Sequence, residues 1–122
     1  MEYLKLTKWE SNVIQVGLDH IKDEFEFLTD KQYSIAQTIV NDLTIYIEKN
    51  PKEYTPKEMK KFMEGFGLYH YEKVLVTMAI TEIYIMHLDL LGDELDEEEI
   101  KFSKDVISAC KSIFNELMMG VK

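Results

Sequence analysis

Apolar residues recur at helical spacing along nearly the whole chain. The densest run, Val74 to Leu91 (VLVTMAITEIYIMHLDLL), predicts the central element. Only Glu82, His87 and Asp89 ionise within it, and it holds no Gly or Pro. At about 100° per residue, Leu75, Val76, Ala79, Ile83, Met86 and Leu90 share one arc. Val74, Met78, Ile85 and Leu88 cover much of a second. A helix apolar around most of its circumference is expected to be enclosed by neighbours on several sides.

The same periodicity marks the other elements. Thr7-Lys8-Trp9-Glu10 reads as a capping box that opens a first helix. Ile14, Gly17, Leu18, Ile21, Phe25 and Leu28 form its inner face, and Asp19, Asp23 and Glu26 form an acidic stripe opposite. A secondary arc of Trp9, Val13, Val16, His20 and Phe27 is more apolar than a solvent face needs. Thr29-Asp30-Lys31-Gln32 opens a second helix, with Ile35, Ala36, Ile39, Val40, Leu43, Tyr46 and Ile47 inward, and Asn50-Pro51 ends it. Thr55-Pro56-Lys57-Glu58 starts a short helix that carries Met59, Phe62, Met63 and Phe66 inward. Gly65 and Gly67 predict a bend before the central helix. After Gly92, Asp96 caps a last helix with Ile100, Val106, Ile107, Cys110, Ile113, Phe114, Leu117 and Met118 inward and Gly120 as its C-cap. Lys101, Lys104, Ser108, Lys111 and Ser112 form its polar face.

The expected fold is therefore all-α: an antiparallel bundle of four long helices plus one short helix at about 56–66. The central helix is expected at about 68–91, in a single domain spanning 1–122.

Charge narrows the function. The 122 residues carry a net charge of −9, and all 14 basic residues are Lys. Without the bidentate fork of Arg, an acidic chain is poorly equipped to neutralise phosphates, so no direct nucleic-acid binding is expected. Acids within the long apolar run argue against a membrane span. A lone cysteine, Cys110, allows no internal disulfide and no multi-cysteine zinc site. The N-terminus lacks the charged-then-apolar pattern of a signal peptide, so the cytoplasm is the expected setting.

Catalytic chemistry finds little footing. The positions three before His20, His70 and His87 are Gly17, Gly67 and Tyr84, so the Glu-x-x-His pattern of di-iron bundles is missing. There is no nucleophile elbow and no phosphate-binding glycine loop. The expectation is a protein that is not an enzyme and uses no cofactor or metal. Glu82, His87 and Asp89 on the central helix would carry any alternative enzymatic or metal role.

Binding features are stronger. Residues 93–99 hold six acids in seven positions. Phe62, Phe66, Tyr69, His70 and Tyr71 form an aromatic segment that suits either a core or an interface. The reading is a small acidic helical protein that binds another protein, with acids steering it toward a basic surface. An inhibitor, immunity protein, antitoxin or phage-encoded antagonist would be built this way. The Ile-rich, Arg-free composition fits an AT-rich bacterial, phage or plasmid source. The expected partner-binding residues are Asp19, Asp23, Glu26, Asp93, Glu94, Asp96, Glu97 and Glu98, with Trp9 and Phe27 as anchors. The alternative is a homodimeric structural module closed by the Trp9–Val13–Val16–Phe27 arc.

Overall fold

Three threonines start three helices. In the computed structural model, which describes residues 1–119, the Oγ1 atoms of Thr7, Thr29 and Thr55 accept the amides of Glu10, Gln32 and Glu58 at 3.1, 3.1 and 3.2 Å. The Glu10, Gln32 and Glu58 side chains accept the threonine amides in return, which satisfies donors that a helix end leaves unpaired. The helices are α1 (Lys8–Glu24), α2 (Asp30–Glu48) and α3 (Pro56–Phe62). Two more follow, α4 (His70–Leu90) and α5 (Glu97–Met119), the latter capped by Asp96 Oδ1 accepting the Glu99 amide at 2.8 Å. The fold is an all-α bundle with a small two-stranded sheet. The C-cap expected at Gly120 lies outside the described residues.

α1 and α2 form an antiparallel pair. Gln15 donates to Val40 O and Thr44 Oγ1 at 3.1 and 2.9 Å, and Lys22 reaches Gln37. α4 and α5 form a second antiparallel pair, tied at one end by His87 and Ser103 (3.0 Å) and at the other by Lys73 donating to Leu117 O (3.1 Å). α1 joins the pairs, packing on α2, α4 and α5. At Gly17 it runs close against α4, where an added Cβ would lie 3.0 Å from Ala79 O and 3.1 Å from Ala79 Cβ. Ile14, Leu18, Ile39, Leu43, Ile80 and Ile113 fill the shared core. Cys110 is buried there too, and desolvation pushes its thiol up to about 11, so it stays protonated and behaves as a small apolar side chain.

Three boundaries, one face and several inward positions differ from the sequence expectation. Helix α1 ends at Glu24, short of Phe25 and Leu28 on its expected inner face, and Met59 and Met118, expected inward, are 37 and 73% exposed. The short helix, expected to reach about 66, ends at Phe62, and the central helix, expected from about 68, begins at His70. Residues 66–68 are instead a strand, β2 (Phe66–Leu68), paired antiparallel with β1 (Glu2–Leu4) in the register Leu4 to Phe66, Tyr3 to Gly67 and Glu2 to Leu68. Phe66 and Leu68 are buried by this pairing, and Glu2 forms an ion pair with the buried Lys73. Met63, expected inward, is 69% exposed because the helix has already ended. On α4, the first apolar arc is enclosed as expected except at the helix end, where Leu90 is 36% exposed. The second is not: Val74, Ile85 and Leu88 are 47, 49 and 45% exposed, because the bundle has too few helices to enclose α4 on every side.

Candidate protein-binding site

The N-terminal turns of α1 and α5 diverge over the C-terminal half of α4 and leave an apolar groove of about 200 Å3. Trp9, Val13 and Val16 form one wall, Phe102 and Val106 the other, with Ile83 and His87 between them. Trp9 meets Phe102 edge-on at 6.1 Å, and His87 meets Phe102 at 5.9 Å. Trp9, Val16 and Phe102 remain 41, 60 and 54% exposed, far more than core residues of their size.

The groove runs on toward the start of α5. A second concavity shares His87 and Phe102 with the first and is lined further by Leu90, Leu95, Asp96, Glu98 and Glu99. Asp93, Glu94 and Glu97 are exposed in the same connection and first turn. Among the described residues, none of these six acids forms an ion pair with a lysine. The free amides at the helix N-terminus favour negative charge, but one or two acids suffice for that. The Glu99 backbone amide holds the Asp96 carboxyl below its usual range, while Glu99 is pushed up by its hydrogen bond to Asp96 and by that residue's charge.

The structure places Trp9 in the groove, Asp96 and Glu98 in the adjoining concavity and Asp93, Glu94 and Glu97 exposed in the same connection and first turn, and it separates the others. Helix α1 stops at Glu24, so Phe27 lies past its end and cannot continue the Trp9–Val13–Val16 arc. Phe27 is 70% exposed and packs against Phe25 at 4.9 Å with the rings tilted by 32°, and the ~22 Å of helix between Trp9 and Glu24 separates Phe27 from Trp9. Asp19 pairs with Lys22 at 3.0 Å, and Asp23 and Glu26 are exposed around that same far end. Val13 is buried in the core cluster. Phe102 and Val106 join the site from α5. Phe102 is a large apolar residue out of phase with the inner face of its helix, and that phase error is the sequence signal that marks it.

Glu82, His87 and Asp89 do not converge. Glu82 faces His20 at 3.8 Å, His87 hydrogen-bonds Ser103, and Asp89 is exposed. Desolvation lowers the His87 pKa from its ordinary value of 6.5, so the folded groove favours the neutral ring. The stability tied to this neutral ring is complete above pH 6.5 and is lost as the pH falls toward the lowered pKa. Denaturation midpoints should therefore drop between pH 7.5 and 5, and His87→Gln should reduce the drop. An equal drop in the variant would place its origin elsewhere.

Among the described residues, no helix is long and apolar enough to cross a membrane. Compared with known proteins, the chain matches no family model, no curated protein and no solved structure.

Proposed function

We propose that this chain binds another protein, taking an apolar segment flanked by Lys or Arg into the α1–α5 groove. The observation that carries the reading is the continuity of an exposed aromatic groove with an acid-rich helix start that, among the described residues, forms no ion pairs. Trp9 and Phe102 act as anchors, since desolvated aromatics contribute disproportionately at interface centres. Asp93, Glu94, Asp96, Glu97 and Glu98 attract and orient a basic partner, which mainly raises the rate of encounter. A protein that covers a basic functional surface in this way is an inhibitor of its partner, as an immunity protein, antitoxin or phage-encoded antagonist is. Asp19, Asp23 and Glu26 extend the acidic field along α1 without lining the groove.

Trp9 is the sole tryptophan and sits in the groove, so its fluorescence reports occupancy directly. The probe is a synthetic amphipathic helix with an apolar stripe and flanking lysines, compared with the same stripe flanked by glutamates. The expected result is a saturable change in Trp9 emission with the lysine peptide alone. It should weaken as salt screens the acids, and be lost in Phe102→Glu. If both peptides act equally, or neither acts, the reading is overturned.

A further inference from the structure

We propose that the cleft between α3, the two-stranded sheet and the start of α4 binds a small phosphate monoester that carries a planar ring, of the nucleoside monophosphate kind. The cleft has a volume of about 330 Å3 and is lined by Met1, Tyr3, Lys57, Lys60, Lys61 and Tyr69. That size lies at the lower end of the range for small-ligand pockets. Lys57, Lys60 and Lys61 stand at i, i+3 and i+4 of α3, so they share one face of that helix. The Tyr3 hydroxyl donates to Lys60 O at 3.0 Å, which ties the sheet to α3 and holds the Tyr3 ring in place. Gly67, opposite Tyr3 in the sheet, keeps the approach close, because an added Cβ would collide with Lys61 O and Met1 Sδ.

Local stability does not account for three lysines at this place. Like charges at these spacings repel, and Lys57 stands in the first turn, where the positive end of a helix disfavours a cation. Lys61 is compensated by Asp42 and, at 3.8 Å, by Glu72. Among the described residues, Lys57 and Lys60 form no ion pair, although the chain holds 23 acids to 14 lysines. Glu58, the acid of α3, is engaged by Lys49 and by the Thr55 amide. Two uncompensated ammonium groups match one phosphate monoester, whose charge at pH 7 is about −1.5 to −2, better than a single carboxylate. Lysine serves such a group as a point charge, without the fork of Arg. One phosphate also needs no extended basic surface of the kind a nucleic acid requires. Beside the lysines, Tyr69 is 46% exposed and is backed by Tyr71, the two rings stacked at 5.7 Å with 8° between them. A supported, half-exposed ring next to a phosphate site gives a flat ligand ring a surface to stack on. The cleft shares no residue with the α1–α5 groove, so the site stands or falls independently of partner binding.

Titration of the isotope-labelled full chain with adenosine monophosphate, followed by amide chemical shifts, tests the site. Inorganic phosphate and adenosine are the two halves of the probe. The expected result is saturable shifts confined to residues near 57–61 and 67–69, with adenosine monophosphate binding more tightly than either half. Replacing Lys57 and Lys60 together by Gln should weaken it at least about tenfold, the loss of two charge-assisted contacts. Both side chains are exposed, so the double variant keeps its fold, which circular dichroism checks. Tyr69→Leu should reduce the affinity to that of inorganic phosphate. No saturation by about 10 mM, where binding would be weaker than about 3 kcal/mol, overturns the proposal. So do shifts spread over lysines elsewhere on the surface, a double variant that binds as the parent does, or equal affinity for adenosine monophosphate and inorganic phosphate in the parent.

Discussion

Replacing Phe66 with alanine lowers the unfolding free energy by about 3–5 kcal/mol, the range for truncating a buried aromatic. Phe66 is fully buried, stacks on Phe62 at 5.6 Å with 8° between the rings, and meets Tyr46 at 5.6 Å. Phe62 in turn touches Tyr46 and Tyr54 at 6.0 and 5.7 Å, so one ring holds together α2, α3 and the connection between them. Its backbone also lies opposite Leu4, which is itself fully buried. The cavity cannot collapse without moving α3 or breaking the sheet, which places the cost toward the upper part of the range. Urea unfolding measures it. A loss below about 1 kcal/mol would mean that the aromatic cluster unfolds apart from the bundle.

Gly65→Ala should cost about 2–4 kcal/mol, combining backbone strain with a steric conflict. Gly65 has φ +135°, a conformation that side chains rarely adopt, and an added Cβ would sit 2.6 Å from the Leu4 carbonyl oxygen. Neither problem relaxes easily, because shifting Leu4 would disturb its pairing with Phe66. Gly92→Ala is the control. Gly92 has no positive φ, and its nearest neighbour, Asp89 O, would be 3.3 Å from the new Cβ. The same unfolding measurement should find Gly92→Ala within about 1 kcal/mol of the parent. Equal losses at both glycines would discredit the geometric explanation.

The contrast between these glycines shows where sequence reading stops. The pair Gly65 and Gly67 announces an interruption, and an interruption is there. Its content, a strand paired with residues 2–4, depends on segments more than sixty positions apart, each three residues long. Three residues are too few to show alternation, so no local signal reveals the partner. The candidate site divides in the same way. Trp9 and the 93–98 acids stand out in the sequence as an unexplained aromatic and an unexplained charge run. That Trp9 and two of those acids, Asp96 and Glu98, line adjoining concavities follows from the packing of α1 and α5 over α4, which also brings in Phe102 and His87. Phe27 illustrates the reverse. It shares a phase with Trp9 only if α1 continues, and α1 stops three residues short of it.

By itself the sequence determined the five helices, the capped starts of α1, α2, α3 and α5, the all-α class and most of the inner face of each long helix. These depend on interactions within about four residues and on the 3.6-residue period, both written locally in the chain. Tertiary structure alone decided which apolar surfaces found cover. Val13 and Val16, three positions apart on one arc, end up buried and 60% exposed, and α4 has one arc enclosed and the other open. Periodicity ranks positions by apolarity, but exposure depends on how many neighbours a helix acquires and at what angle, a property of the whole assembly.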